Sequence, residues 1–164
     1  MPATREGLVR PIALVTLSAA WIGAALLVAA VVAPAAFTTL PSPVLAGALV
    51  GRVLAAIFNS GCIAGVAIVV LDLAGPRLPG RTARITTSVI WVAACAVAQF
   101  VVTPRIEQLR AAAGGPIDAL AADAPVRVAF GRLHGISVEL FGLAMLAALV
   151  VLILAARGTR QAAR

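Results

Sequence analysis

LHGISVELFGLAMLAALVVLILAA, Leu133 to Ala156, decides the fold. Beyond Glu139 it carries no charge until Arg157. The run matches the roughly 20 residues that cross a bilayer core. In lipid, a backbone without water can satisfy its polar groups only by forming a helix. Three further apolar runs precede it, at about 11–37, 50–73 and 85–103. The chain of 164 residues is 62% hydrophobic and 12% charged. A water-soluble fold has no interior large enough for that much aliphatic surface, whereas lipid can take the surplus. The expected fold is an all-α, integral-membrane four-helix bundle, one transmembrane domain over 1–164. The run before Pro34 is too long for the ~7–15-residue core of a signal peptide and reads as a retained span. Pro34 is expected to kink or end it.

All thirteen basic residues are arginine, and most sit at the ends of the apolar runs. That is how loops flank membrane spans. A nucleic-acid interface would gather them on one face, so no nucleic-acid partner is expected. Arginine without lysine, among abundant alanine, fits a GC-rich bacterial genome and hence a bacterial inner (plasma) membrane. Eight arginines fall on the side of both termini and five on the other, which by the positive-inside rule makes a multi-pass protein with cytoplasmic termini. Between the third and fourth spans, RIEQLRAAA (105–113) should continue the third helix past Pro104, and GGP (114–116) should stop it. Pro125 suits the first turn of the next helix. The expected result is an extracytoplasmic helical hairpin between the two spans.

Polar groups within spans are costly and therefore informative. Gln99, Thr103 and Arg105 on the third span stand near the level of His134, Ser137 and Glu139 on the fourth. Arg52, Asn59 and Ser60 lie on the second. The opposite halves of the spans read as nearly devoid of polar groups, so a functional cluster is expected in the outer half: His134, Ser137, Glu139, Gln99, Arg105, Asn59 and Arg52. His134 and Glu139 do not form a dyad, because five residues at about 100° each separate them by about 140° around the helix. Glu139 shares its face with Arg132, Gly135 and Gly142, and its partner should come from another helix, Arg105 or Arg52. Two readings stand for Glu139: a carboxylate handling a proton or cation below an outer vestibule, or an anchor near the interface. His134 likewise reads as a reactive group or an interfacial cap.

One histidine and two cysteines on separate spans offer no metal-binding spacing, so neither metal nor cofactor is expected. Cys62 and Cys95 read as small packing residues. GALVG (Gly47 to Gly51) and GCIAG (Gly61 to Gly65) have the spacing that lets helix backbones approach closely. Packing within the bundle is the plain reading, and a homo-oligomer the sharper one. No catalytic triad or phosphate loop supports an enzyme. The functional expectation is a non-enzymatic membrane component handling a small solute or ion through the outer cluster. Its rivals are a membrane-embedded haem or metal redox protein and a purely structural accessory subunit.

VVAPAAF (31–37), LAGALVGRVLAAIF (45–58), VVTPRIEQLR (101–110) and FGRLHGISVELFG (130–142), in this order, carry a family resemblance. The chain resembles the bacterial domain of unknown function 4149 family, related to the animal transmembrane protein 205. The resemblance implies a four-span membrane protein and no particular activity. It draws on the Leu-His-Gly-x-Ser of His134 and Ser137 and not on Glu139. One departure is Phe141, where the family often carries asparagine.

Overall fold

The computed structural model describes residues 5–77 and 79–162, with side chains over 9–77 and 79–158. Among the described residues there is no strand. Four long helices account for the fold: α1 (Val9–Thr39), α2 (Pro43–Ala74), α3 (Arg81–Ala113) and α4 (Pro125–Gly158). The four apolar runs read from the sequence lie within them. At 31 to 34 residues, each is long and apolar enough to cross a membrane. With a rise of ~1.5 Å per residue, each exceeds the ~30 Å hydrocarbon core.

Local chemistry sets the boundaries. Ser42 caps α2 by accepting the Leu45 N–H, and Pro43 occupies the first turn, where no backbone donor is needed. Gly80, at φ 73°, turns the chain into α3, and Gly114, at φ 63°, ends it. Both arms of the helical hairpin past Pro104 are extensions of α3 and α4, and the connection between them includes a short turn at Ile117–Ala119.

Pro34 does not end its helix. Both α1 and α3 widen into a π-helical turn just before their proline, at Val28–Val32 and at Ala98–Val102. There the Ala33 N–H reaches Val28 O and the Thr103 N–H reaches Ala98 O. The wider turn accommodates the proline's missing donor and its ring, so α1 continues to Thr39 and α3 to Ala113.

The two π turns belong to a larger repetition. Ser18, Trp21, Val28 and Pro34 on α1 recur at constant spacing as Ser88, Trp91, Ala98 and Pro104 on α3, and the first three of each set are buried. On α2, the buried residues Gly61, Ala64, Gly65, Ile68 and Asp72 have equally spaced buried counterparts on α4: Ala144, Ala147, Ala148, Val151 and Ala155. Equivalent rings meet at the centre. Trp21 and Trp91 lie 4.8 Å apart, and Phe58 meets Phe141 edge-on at 5.8 Å. The bundle is thus two α-hairpins, α1–α2 and α3–α4, arranged about an approximate two-fold axis along its length. Each helix packs against its two neighbours in the ring α1, α2, α3, α4.

The core consists mainly of small residues with a few large ones between them. Ala25, Ala46, Ala94, Ala98, Ala144 and Ala148 are buried, while Ile63 is 72% and Leu146 64% exposed. Lipid tails are as apolar as leucine, so burial of bulky side chains gains little here. Close backbone approach and interhelical hydrogen bonds hold the helices instead.

Candidate functional site

The bundle's strongest polar feature lies at the end that carries both chain termini, not in the half where the sequence had pointed. Asp72, in the last turns of α2, and Arg84, in the first turn of α3, are both fully buried. Arg84 grips the carboxylate with both prongs of its fork: Nε donates to Oδ2 at 2.9 Å and Nη2 to Oδ1 at 2.7 Å. Arg10, at the start of α1, donates from Nη2 to the same Oδ1 at 2.8 Å. Two-pronged arginine–carboxylate pairing is among the stronger hydrogen-bond geometries.

Two further donors of these arginines hold the α2–α3 connection in place, while Arg10 Nε is buried without a partner. Arg84 Nη1 donates to Pro79 O at 2.8 Å, and Arg10 Nη1 to Pro76 O at 2.6 Å. A Cβ on Gly75 would meet the Arg10 guanidinium and push it from its present position. Three helices are therefore pinned by one carboxylate. The cluster carries two positive charges against one negative and retains a net positive charge.

From Arg84 a line of polar groups runs along the buried face of α3. Ser88 Oγ, Trp91 Nε1 and Gln99 Oε1 are each buried without a hydrogen-bond partner. The equivalent groups on α1 are satisfied: Ser18 Oγ donates to Leu14 O at 2.9 Å, and Trp21 Nε1 to Ile57 O at 2.9 Å. Leaving such a group unpaired costs about 1–3 kcal/mol. Ser18 and Trp21 meet this requirement, and their counterparts Ser88 and Trp91 do not.

The residues expected to form an outer cluster do not converge. Only Gln99 among them buries a polar atom without a partner. His134 is exposed, with its ring stacked parallel to Phe130 at 6.1 Å, and Ser137 is half-buried. Glu139, Arg105, Arg52 and Asn59 are exposed, and Glu139 forms no ion pair with either arginine.

The glycine motifs serve the bundle itself. The Arg110 guanidinium lies over Gly47 and Gly51, paired with Glu107 and 5.7 Å from the Phe130 ring centre. A Cβ on Gly61 would meet Cys95 Sγ at 2.7 Å, and one on Gly65 would meet Val92 Cγ2 at 2.5 Å. Within the chain, these glycines thus lie against Arg110, Cys95, Trp21 and Val92. Among the described residues, no three His, Cys, Asp or Glu converge in a metal-binding group.

Sequence reasoning passed over Asp72 because it closes an apolar run and three arginines follow it. By position those arginines look like loop charges that set orientation. The usable signal was a lone carboxylate in the final turn of a span, a position where only pairing makes the charge tolerable. Likewise, the half of the bundle that had seemed free of polar groups contains buried Ser18, Asp72, Arg84 and Ser88.

Four apolar helices packed around a polar interior line define a multi-pass integral membrane protein. The chain belongs to the family described as Domain of unknown function (DUF4149), whose model matches residues 16–114. The match covers most of α1, all of α2 and all of α3, and so includes Asp72, Arg84 and the unpartnered groups of α3. It ends before α4. No curated protein and no solved structure matches the chain.

Proposed function

We propose that the chain is a non-enzymatic membrane protein that handles a small, uncharged, hydrogen-bonding solute along the buried face of α3. The observation that carries this reading is the line of unpartnered polar atoms, Ser88 Oγ, Trp91 Nε1 and Gln99 Oε1, in series with the ion cluster. Buried groups without partners are expensive inside a membrane protein and mark functional positions. A hydroxyl, an indole N–H and an amide oxygen suit a neutral polar molecule, and the net positive cluster at one end repels cations. Gln99 forms the access point, and Arg10–Asp72–Arg84 forms the closure. The arginine bias favours a cytoplasmic position for the closure and both termini, with Gln99 towards the outside.

The test is stopped-flow swelling of proteoliposomes in glycerol and in urea. The parent protein accelerates uptake over protein-free vesicles, and Gln99→Leu and Ser88→Ala return it towards the protein-free rate while the helical content stays unchanged. Equal rates for parent and protein-free vesicles refute the reading. The close fit of Gly61 and Gly65 against α3 and Trp21 favours a second reading, a structural accessory subunit. That reading predicts that substitutions along α3 alter stability alone.

A further inference from the structure

Two outward helix faces are left without partners, and each is the other's counterpart in the two repeats. On α2, Arg52, Ala56 and Asn59 form one exposed stripe. On α4, Gly135 and Glu139 are exposed and Gly142 is half-buried, in the equivalent stripe. The Phe58–Phe141 contact fixes the levels. Arg52 stands level with Gly135, Ala56 with Glu139, and Asn59 with Gly142.

The two stripes are complementary in shape and in charge. Where α2 carries a long or polar side chain, α4 carries glycine, and a Cβ on Gly135 or Gly142 would meet nothing within 4 Å. Where α4 carries a carboxylate, α2 carries alanine, with the guanidinium one turn above. Both helices run in the same direction, so both side chains lean the same way, and the offset of one turn, ~6 Å, between Arg52 and Glu139 is spanned by the length of the arginine side chain. Neither Glu139 nor Arg52 has an ion-pair partner among the described residues. Exposed Ile136, Val138 and Leu143 surround the carboxylate, so it stands on an apolar face where an unpaired charge is costly.

The approximate two-fold axis places the stripes on opposite sides of the bundle, so they cannot meet within one chain. A symmetric contact of α4 with α4 would set Glu139 against Glu139, and one of α2 with α2 would set Arg52 against Arg52. We propose that copies of this chain associate head-to-tail in the membrane plane. The α2 stripe of one copy docks on the α4 stripe of the next, and Arg52 pairs with Glu139 of the partner subunit. The interface is heterologous, so the assembly is a closed ring or an open row.

The test uses two differently tagged versions of the full chain co-expressed in one membrane, one carrying Asn59→Cys and the other Gly142→Cys. Both positions tolerate the change, being open or exposed. Mild oxidation is expected to cross-link the mixed pair, while either version alone gives no more dimer than the parent with its native cysteines. Arg52→Glu or Glu139→Arg lowers the mixed yield by about tenfold, and both changes together in each chain restore it. Equal cross-linking by either version alone, no mixed product from the folded protein, or indifference to the charge reversals overturns the proposal.

Discussion

Replacing Asp72 with alanine removes the anion on which three helices converge. Three charge-assisted hydrogen bonds vanish, two from Arg84 and one from Arg10. Arg84 is left fully buried with only Pro79 O as an acceptor, beside the Arg10 guanidinium that shared the same carboxylate oxygen. Breaking a buried pair by removing one partner costs about 3–5 kcal/mol, because the other charge remains uncompensated. The symmetry-related α4–α1 interface carries apolar side chains at the same positions. The positions equivalent to Asp72 and Arg84 are Ala155 and Leu14, both buried in the core. Asp72→Ala combined with Arg84→Leu therefore rebuilds an interface the fold already contains and recovers most of the loss, because apolar replacement of a buried pair is often near neutral. Arg10 keeps the carbonyls of Asp72 and Pro76 as acceptors in both variants. The assay is reversible unfolding in mixed micelles, followed by helical circular dichroism, for the parent, both single variants and the double. A single-variant loss under about 1 kcal/mol, or a double variant less stable than Asp72→Ala alone, refutes the reasoning.

Further expectations follow from the packing. Gly65→Ala places a methyl 2.5 Å from Val92 Cγ2 and should destabilise the α2–α3 contact by about 1–3 kcal/mol in the same unfolding assay. Trp21→Phe removes the donor to Ile57 O and should cost about 1 kcal/mol, beyond the effect of the smaller ring. Trp91→Phe removes an unpartnered N–H and should cost less than Trp21→Phe, a difference read by comparing the two unfolding midpoints. Ser88→Ala should leave stability unchanged or raised, because it deletes a buried polar atom without a partner, while slowing solute uptake.

Composition and run length were sufficient to read the spans, the all-helical class and the hairpin past Pro104. The lipid-facing surface was not legible, because α2 and α4 carry apolar residues all round with few polar ones among them, and hydropathy does not separate the interior from the outside. Only buried polar groups and small residues mark the interior, and these emerge by comparing the repeats. The match of Ser18 and Trp21 with Ser88 and Trp91 was present in the sequence but masked by the surrounding Ala and Val. The π turns were hidden for another reason. Proline signals a break in a water-exposed helix, whereas in a packed span a wider turn absorbs it. Glu139 is exposed on a face with Gly135 that points outward, so neither Arg105 nor Arg52 of the same chain pairs with it.

The central claim is that the buried face of α3 opens to a small polar solute. Cys95 lies on that face between Trp91 and Gln99, fully buried. With Cys62 replaced by alanine, the decisive measurement is the rate at which a small neutral methanethiosulfonate labels Cys95 in intact proteoliposomes, with and without excess glycerol. The account predicts measurable labelling, slowed by glycerol and by Gln99→Leu. A thiol that stays inert until the bundle unfolds contradicts it.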